Sequence, residues 1–288
     1  MNTITIQDIE NHKHISVQDL DKDLLRLKQF NPEQNKNNFA GNKFLYHFQL
    51  KNLMKCRRGS SDTIYDMYEN PTKWAKLLES TRKRARKGAT QAGNIFECFR
   101  INHGSVVMFK ATTAKYLYAK YGATRVLDPT AGWGGRMLGA WALGIDYTGI
   151  DTNVEMKPAY NAMINHLTTD KCRMIWSSAL DVDFSALDYD FVLTSPPYAN
   201  LEVYEHMTAW SSDASFYTEF LIPLWRKCLN HIKPGGHVCF NISPKMYADA
   251  VKFGLPLCDT EEDLLQQLGQ QKATKKQDKI YIWQKKTP

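Results

Sequence analysis

At 288 residues, 43% of them hydrophobic, the chain is long enough to bury a sizeable core, as one large domain with an appendage or as two small ones. No apolar run approaches the roughly 18 residues that span a bilayer. The opening MNTITIQDIENHKHI lacks the basic start and apolar stretch of a secretory signal, so the chain reads as intracellular and soluble, cytoplasmic or nuclear according to its cell type. Net charge is +7, yet residues 1–110 hold 19 Lys and Arg against 11 Asp and Glu, while residues 111–288 hold 18 against 19. The positive excess therefore lies in the N-terminal third. That placement favours a polyanionic partner, although a merely basic, solvated helical surface reads the same way.

In chain order, the spacing of apolar residues predicts a short helix over Val17–Phe30, then an Asn-rich turn. A second helix over 43–58 carries Phe44, Leu45, Phe48 and Leu53 on one side. A third, over 71–87, opens on Pro71 and runs into the basic stretch Arg82-Lys83-Arg84-Ala85-Arg86-Lys87. The texture changes near residue 105. A helix over Val107–Tyr121 is closed by Gly122, and Arg125-Val126-Leu127 is a short strand followed by a Gly-rich turn and a helix from Arg136 to Leu143. Further strands are expected at Tyr147–Ile150, Arg173–Trp176, Asp190–Leu193, His237–Ile242 and Lys279–Trp283, with helices over Glu155–Leu167 and Phe216–His231. This alternation means a mainly parallel, doubly wound α/β sheet with helices on both faces, whose ligand sits beyond the carboxyl ends of the strands. The six cysteines are scattered without a CxxC pair or Cys/His cluster, so no metal site is expected and buried reduced thiols are the simpler reading.

The turn Asp128-Pro129-Thr130-Ala131-Gly132-Trp133-Gly134-Gly135-Arg136 links the first strand to a helix. Its glycines let the backbone turn tightly and approach a ligand. A phosphate cradle is disfavoured, because there is no Gly-Lys-Ser/Thr ending and the GxGxxG spacing fails. Asp151 ends the next strand, where a carboxylate can accept both hydroxyls of a ribose. Asp181 follows the third strand, where one could accept an adenine amino group, and Asp128 could hold a cationic amino group. Each acid alone is more often a solvated loop residue or helix cap. Together they outline a site for an adenosine with a cationic tail.

With Thr194-Ser195-Pro196-Pro197-Tyr198 after the fourth strand, the chain resembles the Rossmann-like S-adenosylmethionine-dependent amino-methyltransferases that act on cytosine N4 or adenine N6 of DNA. The resemblance covers residues 105–288. It implies a seven-stranded sheet whose last strand is antiparallel, S-adenosylmethionine as methyl donor, and a target base flipped into the pocket. By position it makes Phe109, Lys110, Asp128, Thr130, Gly132, Gly134, Asp151, Asp181 and Thr194 the cofactor-binding set, and Ser195, Pro196, Pro197 and Tyr198 the catalytic set. Thr130 departs from the Phe that the family often has there.

An exocyclic amino group is a poor nucleophile because its lone pair is delocalised into the ring. Transfer therefore needs acceptors that draw its N–H bonds out of plane, and nitrogen, methyl and sulfur held in line. Two prolines stiffen an extended turn. The Pro196 carbonyl and Ser195 Oγ are candidate acceptors, and Tyr198 a platform for the flipped ring. Ser at the first position of the tetrapeptide favours cytosine N4 over adenine N6. Tyr204, His206 and Trp210 are candidate linings of the base pocket.

Residues 1–104 form a basic, mainly helical region in which Arg57, Arg58, Arg82, Lys83, Arg84, Arg86 and Lys87 could contact phosphates and Trp74 could stack on a base. DNA is the expected partner, with RNA or a protein glutamine as the alternative substrate by the same chemistry. A non-catalytic nucleic-acid binder that keeps the fold is the alternative of another class. No membrane partner is expected, and a restriction–modification setting with a partner nuclease is left open.

Overall fold

A computed structural model of the protein describes residues 4–31, 38–103, 106–197, 202–203, 210–263 and 278–287. The chain begins with helices α1 (Ile6–Asn11), α2 (Val17–Gln29) and α3 (Asn42–Met54), then strand β1 (Arg57–Arg58), and helices α4 (Ile64–Glu69), α5 (Pro71–Arg84) and α6 (Gln91–His103). Local chemistry explains their starts. Thr5 and Thr63 form capping boxes with Asp8 and Asp66, Ser16 caps α2, and Asn70 caps α5 ahead of Pro71. Within α2, Leu20, Leu24 and Leu27 recur at helical spacing and are buried.

The second part comprises α7 (Ala111–Lys120), β2 (Arg125–Asp128), α8 (Gly135–Leu143), β3 (Asp146–Asp151), α9 (Lys157–Leu167), β4 (Cys172–Trp176) and β5 (Phe191–Thr194). It continues with β6 (Glu202–Val203), a helical turn α10 (Asp213–Ser215), α11 (Ile222–His231), β7 (His237–Ile242), α12 (Pro244–Lys252), β8 (Thr260–Asp263) and β9 (Lys279–Gln284). Between α10 and α11 the chain forms a π-helical stretch, Phe216–Leu221.

Seven of these strands form one sheet in the order β4-β3-β2-β5-β7-β9-β8. All neighbours are parallel except β9, which runs antiparallel to both β7 and β8. This is the seven-stranded, mainly parallel α/β sheet with its last strand antiparallel that was expected. The two-residue strands β1 and β6 pair separately, Arg57 opposite Val203 and Arg58 opposite Glu202.

Side chains alternate between two cores, as a pleated sheet demands. Val126, Phe191, Leu193, Cys239, Ile280 and Ile282 join one buried cluster with residues of α2, α3, α7 and α8. Leu127, Val192, Val238, Phe240, Tyr281 and Trp283 face the other way, against α11, α12 and the π-helical stretch. Helices α7 and α8 cross at Gly139, where a Cβ would lie 2.7 Å from Ala114 Cβ and 2.9 Å from the Ala111 carbonyl.

Boundaries differ from the expectation in places. Helix α7 begins at Ala111, not Val107: the carbonyl of Phe109 would lie 1.9 Å from a Cβ at Gly135, so this extended segment fits closely under the start of α8. The helix over 43–58 ends at Met54, and Arg57–Arg58 is strand. The helix over 71–87 ends at Arg84. Among the described residues no helix is long and apolar enough to cross a membrane, and no cluster of His, Cys, Asp and Glu could hold a metal ion.

Candidate active site

Strand order reverses between β2 and β5, which leaves a crevice beyond their carboxyl ends. A cavity of about 270 Å³ lies there. The β2–α8 turn supplies Pro129, Thr130, Gly132 and Trp133 to its wall; the end of β3 supplies Asp151, Thr152, Asn153 and Met156. Ser177–Leu180 follow β4, Ser195 and Pro197 follow β5, and Trp210 with Phe220 close an aromatic side. A π-helical turn widens the helix by one residue and commonly sits at functional sites; here the stretch that contains Phe220 faces the cavity.

Asp151 accepts the backbone N–H of Gly132 at 2.8 Å and of Asn153 at 2.9 Å. Each oxygen keeps a second acceptor position. Burial pushes its carboxyl up to about 6, against the two backbone bonds, which favour the ionised form. The turn itself is pinned from behind: Tyr160 donates to the Gly132 carbonyl at 2.8 Å, and the Ala131 N–H to the Ile150 carbonyl at 2.9 Å. Gly132 sits at φ +59°, a conformation that costs glycine least.

Asp128 does not reach the cavity wall. Its side chain is fully buried and accepts from Arg136 Nε at 2.6 Å, Tyr147 Oη at 2.7 Å and Thr194 Oγ1 at 3.1 Å. These three donors come from α8, β3 and β5, so the acid ties strand ends together and is not placed to hold a ligand's amino group. The guanidinium of Arg136 also donates to the Thr130 carbonyl and lies over the Phe109 ring. Phe109 does not line the cavity. Lys110 packs on Phe39. Gly134 (φ +87°) starts α8 beneath Met163 and Leu45. Asp181 is exposed and off the wall: its backbone closes a turn onto the Ser178 carbonyl, and the residues before it do the lining. That lining loop is held by Lys227 of α11, whose ammonium donates to the carbonyls of Ala179 at 3.1 Å and Leu180 at 2.5 Å.

Thr130, the departure from the family pattern, links the two loops of the site. Thr194 gives its hydroxyl proton to Asp128 and accepts the Thr130 N–H at 3.2 Å. Thr130 Oγ1 then shares its own proton between Thr194 Oγ1 at 2.6 Å and the Ser195 carbonyl at 3.0 Å. The Gly-rich turn and the diproline turn are thereby fixed relative to each other. Tyr198, Tyr204 and His206 lie outside the described residues.

Of the basic candidates, Arg82, Lys83, Arg84, Arg86 and Lys87 are all exposed, with Lys83 paired to Glu79 one helical turn away. Arg57 is paired with Asp66. Arg58 is placed by β1 alone, and Trp74 is half-buried, edge-on to Tyr68. Sequence reasoning missed Met156, Ser177–Leu180 and Phe220 on the wall; only the π-helical segment's dense aromatics offered a signal.

No family model matches the chain, and no curated protein does. Among solved structures the chain is similar to TrmN from Thermus thermophilus, at 17% identity over 61% of this chain and 48% of that one, with a TM-score of 0.46. It thus spans about half the length of TrmN. It is similar also to an rRNA methylase from Streptococcus thermophilus (11% identity, 64% and 100% covered, TM-score 0.44). A third is an RNA methyltransferase from Salinibacter ruber in complex with S-adenosyl-L-homocysteine (15% identity, 63% and 95% covered, TM-score 0.41).

Proposed function

We propose that the protein transfers a methyl group from S-adenosylmethionine to an exocyclic amino nitrogen of a base in DNA, with cytosine N4 favoured over adenine N6. The observation that carries this reading is the shared wall: Ser195 and Pro197 face the same cavity as Gly132 and Asp151. The donor set suits the cofactor. The Asp151 carboxylate has acceptor positions for a ribose diol, and Met156, Leu180 and Phe220 offer apolar surface to a purine. When bound, S-adenosylmethionine would supply an electrophilic methyl on a sulfonium, the C–S bond breaking to leave S-adenosylhomocysteine as the N–C bond forms and the aminium proton passing to water.

The chain's own residues do the rest. Ser195 Oγ and the Pro196 carbonyl accept the two N–H bonds of the target, drawing the amino group towards tetrahedral geometry as positive charge develops on nitrogen. The stiff diproline turn, bonded through Thr130 to the Gly-rich turn, fixes the distance between the two reactants. Tyr198 stacks on the flipped ring. Residues 1–104 hold the phosphate backbone, chiefly through the exposed run Arg82–Lys87.

The test is transfer of tritiated methyl to duplex DNA, single-stranded DNA and RNA, followed by nucleoside mass spectrometry. N4-methylcytosine or N6-methyladenine is the expected product, and label on RNA or protein alone would remove the DNA assignment. Ser195→Ala is expected to lower kcat on the order of 100-fold and to leave donor affinity, measured by calorimetry, unchanged. Equal turnover in that variant would defeat the mechanism.

A further inference from the structure

Strand β7 carries one amide in an otherwise apolar run. Val238, Cys239, Phe240 and Ile242 have no exposed surface, and Asn241 is 6% exposed. Its Nδ2 donates to Ser195 Oγ at 3.1 Å, and Ser195 Oγ in turn lies 3.5 Å from the Asn241 main-chain carbonyl, an acceptor within reach of its hydrogen. Asn241 Oδ1 is buried with no hydrogen-bond partner among the described residues. An unmatched buried acceptor is unfavourable, so an apolar residue would suit this strand better unless the amide serves the site.

We infer that Asn241 is a positioning residue which fixes Ser195 as a hydrogen-bond acceptor towards the cavity. A serine hydroxyl has one hydrogen and two acceptor positions. One acceptor position takes the Asn241 N–H, the hydrogen has the Asn241 carbonyl within reach, and the remaining acceptor position is left for a ligand. Turning the amide over gives the same result, because Oδ1 then takes the hydroxyl hydrogen. Without the amide only the main-chain carbonyl at 3.5 Å, at the long limit of a hydrogen bond, holds the hydroxyl, which can then turn its hydrogen to an unprotonated ring nitrogen such as adenine N1. Asn241 thus commits the site to target nitrogens that carry hydrogen. This rests on the methyl-transfer reading above.

The decisive comparison is Asn241→Leu, which keeps volume and removes the unmatched acceptor, with Asn241→Asp as the conservative rescue. The Leu variant is expected to unfold at the same or a higher temperature and to bind S-adenosylhomocysteine as the parent does. Its kcat should nevertheless fall on the order of 100-fold at unchanged donor KM, while Asp recovers most of the rate. A folded Leu variant with full kcat, or an equal fall in both variants, overturns the inference and leaves methyl transfer standing. Should the Leu variant not fold, Asn241→Asp decides alone, a 100-fold fall overturning it. Product at adenine N1 or at a ring carbon also overturns it, whereas no product from the parent protein on DNA or RNA removes the methyl-transfer reading as well.

Discussion

Asp151 gives the site a pH dependence. Its carboxyl is pushed up to about 6 by burial, while the unfolded chain would titrate near 3.8. Two consequences follow with opposite signs. The empty protein binds the proton more tightly than the unfolded chain does, so this group's contribution to stability declines as pH rises from about 4 to 6. Donor binding needs the ionised form as acceptor, so affinity should weaken as pH falls through about 6 and level off above 7. Calorimetric titration of S-adenosylhomocysteine from pH 5 to 8 checks this, with Asp151→Asn expected to bind weakly and without that pH dependence. A pH-independent affinity in the parent would remove Asp151 from the ribose role. The candidate site was partly legible at this scale: Asp151 and Ser195 follow from strand ends and Gly132 from the Gly-rich turn, and all three line one cavity. Asp128 was misread because its partners are scattered. Thr194 lies 66 positions along the chain, and Tyr147 comes from the adjacent strand. One signal was present in Arg136, a lone charge in the apolar helix GRMLGAWAL, which needs a buried acid nearby. Asp181 was misplaced because a turn at Ser178–Asp181 brings the preceding residues to the cavity instead.

Among the elements, the C-terminal end of α2 is tied to α7 by one ammonium. Lys115 of α7 is 5% exposed and donates to the carbonyls of Leu27, Lys28 and Phe30 at 2.9, 2.7 and 2.9 Å. The end of a helix leaves its last carbonyls short of partners (here Leu27 also accepts the Phe30 N–H), and a cation suits the negative end of its dipole. Burial lowers the Lys115 ammonium from its ordinary value, and the three short bonds offset that penalty. Lys115→Met should cost about 2–4 kcal/mol, measured by urea unfolding, with donor binding retained in the folded fraction. A variant as stable as the parent would show that water serves those carbonyls equally well. Strands were the most legible elements, because runs such as Phe191-Val192-Leu193 are buried on both faces and have few alternatives. Thr260–Asp263 was not legible as a strand: TEED reads as a solvated loop, and it pairs only because β9 offers it an edge. Helices α1, α4 and α6 escaped for a related reason, since α1 and α4 span only six residues and their capping boxes carry more signal than their periodicity.

At the scale of the whole molecule, charge is segregated. The exposed run Arg82–Lys87 closes α5 and extends past it, a place where cations are favoured by the helix end alone. Salt dependence distinguishes that benign role from a grip on phosphates. Replacing Arg82, Arg84 and Arg86 by Gln should lower the slope of log affinity against log salt by about 3 for duplex DNA, uniformly across sequences. An unchanged slope, followed by fluorescence anisotropy between low and moderate salt, would mean that the run is only solvated surface. The ribbon of β1 and β6 adds a constraint of another kind. Its bonds are made by main chain, so they are indifferent to which side chains stand at 57, 58, 202 and 203. They are not indifferent to counting. A shift of one residue in the partner that Arg57 meets would turn the paired side chains to opposite faces. The ribbon thus joins the N-terminal helical part to the chain beyond the fifth strand through bonds that would survive exchange of the side chains at 57, 58, 202 and 203, proline excepted.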